Sequence, residues 1–207
     1  MDYESSWGVE MVVAVVSYRY GHLVAQAIES VLCQTKQPDE IVVVDDGGYD
    51  FPEEVHQYPV IIDIHPNIGI VDNFNYILDK YGKDKIMFLG GDNWLRPDAL
   101  EKMDVDADIV SCDAYITGTE AGKFIKGNTG EYQDGYWRWH LPNQPHGSAI
   151  YDVKKAKAVG GYEHSGRDKS EEDSMLFGKM IKAGATFAHV DEPLLYYRRH
   201  KANFNKD

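Results

Sequence analysis

Apolar residues in this chain come in short β-branched runs, separated by stretches in which they recur every three or four positions. Met11-Val12-Val13-Ala14-Val15-Val16 is an uninterrupted apolar run, the pattern of a strand buried on both faces. It ends in Ser17-Tyr18-Arg19-Tyr20-Gly21, after which Leu23, Ala27, Ile28, Val31 and Leu32 fall at helical spacing. Pro38 closes that helix, and Ile41 to Val44 predicts a second buried strand. Val60 to Ile64 predicts a third strand, Asn67-Ile68-Gly69 a turn, and Ile70 to Tyr81 a helix with Phe74, Ile77 and Leu78 on one face. Ile86 to Leu89 predicts a fourth strand. This alternation of strands with helices and one short crossover is the signature of a mostly parallel α/β sheet with helices on both faces.

The second half is less regular. Asp108 to Cys112 predicts a strand, Glu120 to Gly135 is polar and Gly-rich, and Tyr136-Trp137-Arg138-Trp139-His140 is an aromatic cluster in non-helical surroundings. Asp152 to Val159 reads as a helix stopped by Gly160-Gly161. Ser170-Glu171-Glu172-Asp173 opens another helix, with Ser170 and Asp173 at capping-box spacing and Met175, Leu176, Met180 and Ile181 as its apolar face. Thr186 to Val190 and Leu194 to Tyr197 predict two more strands. No internal repeat, linker or low-complexity tract interrupts the pattern, so one domain over residues 1–207 is expected.

Composition narrows the function classes. The 207 residues, 43% of them hydrophobic, suffice for one core. A formal net charge of −13 is wrong for gripping a nucleic-acid backbone, so no nucleic-acid partner is expected. Small phosphorylated ligands remain open, because a metal and backbone N–H groups can hold them. Cys33 and Cys112 lack metal-ligand spacing and read as free thiols in a reducing compartment. No apolar run approaches the ~18–20 residues of a membrane span, and Met11 to Val16 is too short for a signal-peptide core, so the expected location is cytoplasmic.

The candidate chemistry sits at strand ends. Ile41 to Val44 runs into Asp45-Asp46-Gly47-Gly48, and Ile86 to Leu89 runs into Gly90-Gly91-Asp92. In open α/β sheets ligands bind outside the carboxyl ends of strands, which makes Asp92 a candidate metal or phosphate residue. Turn and capping chemistry explains the same residues without any ligand.

Several separated motifs together resemble the inverting glycosyltransferases of family 2, which have the GT-A fold. Glu29-Ser30-Val31-Leu32-Cys33-Gln34-Thr35 and Glu40-Ile41-Val42-Val43-Val44-Asp45-Asp46-Gly47 are similar to the family's opening signatures. Asn67-Ile68-Gly69 with Asn75, Gly91-Asp92-Asn93 with Pro97-Asp98-Ala99-Leu100, Gly160-Gly161-Tyr162, Glu172-Asp173 and Tyr197-Arg198-Arg199-His200 follow in family order. The resemblance implies a nucleotide-sugar donor half over about 11–95 and an acceptor and catalytic half over about 96–207, the latter smaller in structure. It implies a nucleotide pocket of Ser17, Tyr18, Asp45, Asp46, Gly91 and Asp92, with Asp46 accepting from a uracil-type base or its ribose. It implies Mn²⁺ or Mg²⁺ held by Asp92 and His200, Asp173 as general base and Glu172 as the neighbour that tunes it. Trp137, Trp139 and His146 are the residues expected beside a carbohydrate or small hydroxyl acceptor. The donor implied is a nucleotide-diphosphate sugar, of UDP type.

The pattern also departs from the family. Gly91 stands where the family usually carries the first acid of its metal pair, Phe74 where many members carry an arginine, and Gly48 where a serine is usual. These departures keep a second reading open, a degenerate GT-A domain that binds a nucleotide or glycan without transfer. The chain stops soon after His200, so the acceptor is expected to be small, or its surface to be completed by a second copy or a partner subunit. A nucleotidyltransferase is disfavoured because Ser17 to His22 offers one glycine and Arg19 only, and a dehydrogenase because no G-x-G-x-x-G follows a strand.

Overall fold

The computed structural model describes residues 8–125, 130–140, 145–164 and 171–203. Strand β1 (Met11–Ser17) forms on the first apolar run and is buried throughout except at Val16. Helix α1 (Gly21–Leu32) turns Val24, Ala27, Ile28 and Val31 inward. Then come β2 (Glu40–Asp46), a 3-10 turn (Glu53–Gln57), β3 (Ile61–His65), α2 (Ile70–Tyr81) and β4 (Lys85–Gly90). The second half contributes β5 (Trp94–Leu95), α3 (Ala99–Lys102), β6 (Ile109–Thr117), α4 (Ala121–Ile125), β7 (Gly130–Gln133), β8 (Tyr136–Trp139), β9 (Ile150–Asp152), α5 (Val153–Ala158), α6 (Glu172–Lys182) and β10 (Phe187–Arg198).

Among the described residues the strands join one sheet in the order β3-β2-β1-β4-β9-β6-β10-β5, with β8 on β6 and β7 on β8. The pairs β2–β3, β1–β2, β1–β4 and β6–β10 are parallel. Strand β9 is antiparallel to both β4 and β6, so those two run the same way and share one carboxyl-end rim. Alternate side chains feed two cores. One packs Val13, Val15, Met87, Leu89, Val110 and Cys112 against α1 and α3. The other packs Val12, Ala14, Ile86, Phe88 and Tyr151 against α2, α5 and α6.

Three expectations change. The two strands expected over 186–197 are one strand, β10, whose pairing with β6 shifts register around Pro193. Proline has no N–H for the ladder, and a bulge accommodates it. Strand β6 runs past Cys112 to Thr117, because Ser111 and Asp113 are buried polar residues that the hydrophobic pattern stops at. The Gly-rich stretch contains α4 and most of a β7–β8 hairpin. Ser170, the expected capping residue of α6, lies outside the described residues. Both cysteines are free, and no helix among the described residues is long and apolar enough to cross a membrane.

Candidate active site

Parallel pairing brings the ends of β1, β2 and β4 side by side, with Ser17 opposite Asp45 and Val16 opposite Gly90. Asp45 is fully buried, and its two oxygens accept the backbone N–H groups of Gly48 at 2.7 Å and Tyr49 at 2.6 Å. Burial pushes its carboxyl above the ordinary range, against the pull of those two donors. Asp46 binds the next loop in the same way. Its Oδ1 accepts from Ile68 N at 2.8 Å and its Oδ2 from Asn67 Nδ2 at 3.1 Å. Ser17 Oγ is buried beside them with no hydrogen-bond partner. Tyr18 is 38% exposed at the rim, with the Arg19 guanidinium 4.9 Å from its ring centre.

Gly91 donates its N–H to Val16 O at 2.8 Å and lies flat against β1. A Cβ there would stand 3.2 Å from both Ser17 Cβ and Val16 O, so the glycine is fitted to this close approach. Asp92, by contrast, projects into a polar nest. Its Oδ2 lies 3.1 Å from His200 Nε2 and accepts from Asn203 Nδ2 at 2.9 Å. Burial raises its carboxyl, and His200 opposes that shift. Asn203 Nδ2 also donates to Arg198 O at 3.1 Å, and Asn93 Oδ1 accepts from Arg198 N at 2.9 Å. The edge of the Tyr20 ring faces the His200 ring at 5.3 Å, and Tyr20 donates its hydroxyl to Ala202 O. The turn after β10 is thereby folded onto the end of β4. Asp92 and His200, which hydrogen-bond at 3.1 Å, are the carboxylate and imidazole at this rim that could hold a divalent cation.

Asp173 reaches the same rim by another route. Strand β9 pairs Ile150 with Met87 antiparallel, so the turn before β9, which holds Gly147, lies towards the carboxyl end of β4. The Asp173 carboxylate packs on Gly147, where an added Cβ would stand 2.4 Å from Oδ2. Its Oδ1 is buried without a hydrogen-bond partner. Burial first, and the charge of Glu172 second, push the carboxyl up to about 7. Glu172 is buried next to it at the start of α6.

The three expected acceptor residues have other tasks in the fold. His146 uses both ring nitrogens internally, Nε2 against Cys112 O at 3.0 Å and Nδ1 accepting from Ser148 N at 3.2 Å. Burial lowers it to about 4, so it is a neutral pin that shapes the turn carrying Gly147. Trp139 packs edge-on against Phe124 at 5.1 Å and beside Tyr197. Trp137 is covered by its own hairpin, since a Cβ on Gly130 would meet its Nε1 at 2.7 Å. The reason is strand alternation: both tryptophans share one face of β8, and on that face they are half-buried against Phe124, Tyr197 and the hairpin itself. On the opposite face Trp94, Tyr196, Tyr115 and Tyr136 form a continuous row, with Trp94 and Tyr196 stacked at 5.0 Å and 5°. That row starts two residues after Asp92.

Sequence reasoning missed Asn203, which holds both Asp92 and the turn of His200, and Gly147, which makes room for Asp173. For Gly147 a signal existed in the His-Gly-Ser turn before an apolar pair; Asn203 carried none.

Comparisons with known proteins agree with this fold. The sequence model of Glycosyl transferase family 2 matches residues 12–160. An uncharacterized glycosyltransferase of Bacillus subtilis (strain 168), YwdF, is 30% identical over 115 residues, which is 52% of this chain and 43% of that protein. Among solved structures, TarS 1–349 from S. aureus in complex with UDP-GlcNAc superposes with a TM-score of 0.68 at 16% identity, over 94% of this chain and 60% of that one. A second TarS structure gives 0.66 at 16% identity, over 92% of this chain and 37% of that one. The chain thus spans less than two thirds of the proteins it matches, and it shares with TarS the GT-A arrangement of a mostly parallel sheet with helices on both faces. A match over more than half its length shows that the chain belongs to glycosyl transferase family 2.

Proposed function

We propose that this chain is an inverting glycosyltransferase that moves a sugar from a nucleotide diphosphate, of UDP type, to a hydroxyl of a glycan or small acceptor. The observation that carries the reading is Asp173: a carboxyl with a buried, unpartnered oxygen, held near neutrality, on the rim shared with Asp92. Such a group is suited to take a proton at neutral pH. As the acceptor oxygen attacks the anomeric carbon, its proton passes to Asp173 and the bond to the diphosphate breaks. One displacement with one base inverts the anomeric centre. Glu172 keeps the Asp173 carboxyl basic by like charge.

Residues 11–95 form the donor half in this reading. The UDP-GlcNAc complex of TarS supports a UDP-sugar donor by analogy of fold. Each Asp46 oxygen has one protein donor, so each retains acceptor capacity for a base N–H or ribose hydroxyl. Ser17 and Tyr18 complete that pocket. Asp92 and His200 would hold Mn²⁺ or Mg²⁺, which when bound offsets the charge growing on the leaving diphosphate. The acceptor lies over residues 96–207, beside the half-buried row from Trp94 to Tyr136, in which Tyr136 is the exposed ring and the one free to meet a sugar. The two free cysteines support a reducing, cytoplasmic setting.

The test is UDP release and product formation from a panel of UDP-sugars, in wild type and Asp173→Asn. Near-normal transfer by a folded Asp173→Asn protein would overturn the assignment of the base. The second reading, a binding module, is favoured by Gly91, whose packing leaves the metal site one carboxylate, and by Phe74, which is buried against Phe88 and Tyr162. UDP binding without turnover on any acceptor would support it.

A further inference from the structure

The face of the sheet that carries Asp173 also carries polar groups that the donor chemistry leaves unused. Ile109, on β6, belongs to the core that packs against α6. Asp113 and Tyr115 follow it at alternate positions, so they lie on that same face. From β8, Arg138 pairs with Tyr115 and bonds Asp113, and Tyr136 sets its ring 5.1 Å from that of Tyr115. From β10, His189 brings Nε2 to 2.9 Å from Asp113 Oδ1. Asp113, His140, His189 and Asp191 line an open cavity of about 510 Å³. That volume falls in the ~300–1,000 Å³ range of small-molecule sites.

We propose that this cavity and the ring of Tyr136 form an acceptor subsite for an uncharged saccharide, one without phosphate, sulfate or carboxylate groups. The inference rests on the transferase reading above and adds the class of acceptor. An exposed tyrosine ring offers a flat face to the C–H side of a sugar ring, and carboxylates and imidazoles pair with its hydroxyls. Arg138 bridges Asp113 Oδ2 at 2.6 Å and Asp191 Oδ1 at 3.0 Å. The bridge fixes both carboxylates without using all their acceptor sites, since each carboxylate has about four. The Asp191 side chain is 85% exposed, so it is open to a ligand hydroxyl, and the half-buried His140 borders the same space.

Charge sets the class of ligand. Among the described residues, Arg138 is the permanent cation in contact with Asp113, Asp191 and Glu131. Three acids thus face one guanidinium, and that guanidinium is already engaged by them. It has no free edge to offer a phosphate or a carboxylate. An anionic acceptor would meet the excess acid at Asp191 and Glu131, and like charges in a binding site suppress the wrong partner. A neutral sugar meets no such penalty.

The cavity is joined to the base through one residue. His146 lies against Cys112 O at 3.0 Å, next to Asp113, and the charge of Asp113 acts on its ring. The following residue, Gly147, carries the Asp173 carboxylate. An acceptor seated over Asp113 and Tyr136 therefore extends along the same face towards Asp173.

The test is binding to an array of neutral hexose and N-acetylhexosamine oligosaccharides beside phosphorylated, sulfated and uronate-bearing ones, with UDP and Mn²⁺ present. Calorimetry with UDP alone runs in parallel. We expect neutral glycans to bind and acidic ones to stay at background. Tyr136→Ala and Asp191→Ala, both at exposed positions, should each weaken neutral glycans by about 10-fold, with UDP affinity and circular dichroism unchanged. The double variant Glu131→Gln with Asp191→Asn should admit acidic glycans. Preferential binding of acidic glycans by wild type, no glycan binding, or neutral binding unchanged in both single variants would overturn the subsite. So would a double variant that still excludes acidic glycans. Neutral glycans bound while UDP is not would support the subsite and overturn the donor reading instead.

Discussion

Two adjacent pairs of acids, Asp45-Asp46 and Glu172-Asp173, sit at element ends in the two halves of the molecule and differ in what surrounds them. Asp45 and Asp46 accept four donors from the loops after β2 and β3, three of them backbone N–H groups. Asp173 has a buried oxygen with no partner at all. Burial raises both Asp45 and Asp173, but only Asp45 has N–H donors to counter it. The first pair is organised by its own loops. The second is held ready for a proton. The lesson is that two acid pairs alike in composition acquire different roles from their donors.

The sharpest way to break this contrast is to remove the bare carboxylate. Asp173→Asn should lower kcat by about 10²–10⁴-fold, the range of a lost general base, with UDP affinity retained in calorimetry. Its stability should move the other way. The folded protein keeps Asp173 protonated up to about 7, whereas the ordinary value is 3.8. The native state therefore binds more protons between those values, and stability falls as pH rises through that window. Asp173→Asn should thus be more stable than wild type at pH 8, by on the order of 2–4 kcal/mol, with the gap closing near pH 4. Urea melts at both pH values measure this. Wild-type transfer should rise with pH through about 7, as the base ionises.

Gly147→Ala should come next. The added methyl group would stand 2.4 Å from Asp173 Oδ2, so the carboxylate must move. A loss of roughly 10²-fold in kcat with little change in donor affinity is expected, since a displaced group costs about that much. Asn203→Ala should weaken Mn²⁺ by about 10-fold or more, because it loosens both Asp92 and the turn of His200. The Mn²⁺ dependence of UDP binding reads it directly. The mildest effect is predicted for Asp45→Asn. An amide NH₂ facing Gly48 N–H or Tyr49 N–H leaves a donor unmatched, which should cost about 1–3 kcal/mol of stability in urea melts.

Much of the donor half was legible because its strands are buried on both faces. Continuous apolar runs such as 11–16 and 41–44 have one stable use, the middle of a covered parallel sheet. The residues that end those runs are then placed on the rim by topology alone. The acceptor half was less legible because its strands carry polar residues inward. Ser111 and Asp113 interrupt the pattern of β6, and Pro193 interrupts that of β10. Trp137 and Trp139 were recognised as aromatic and expected beside an acceptor, but hairpin alternation half-buries them on the other face from the exposed Tyr136.

The strands and helices of the donor half, the identity of the rim acids and the family were determined by local pattern and motif, which need no partner from elsewhere in the chain. The states of those acids were decided by tertiary contacts. Asp92 meets His200 and Asn203 across more than a hundred residues, and Asp173 meets Gly147 only because β9 runs antiparallel beside β4. A carboxylate's charge depends on the donors and burial around it, and here those come from chain segments remote in sequence.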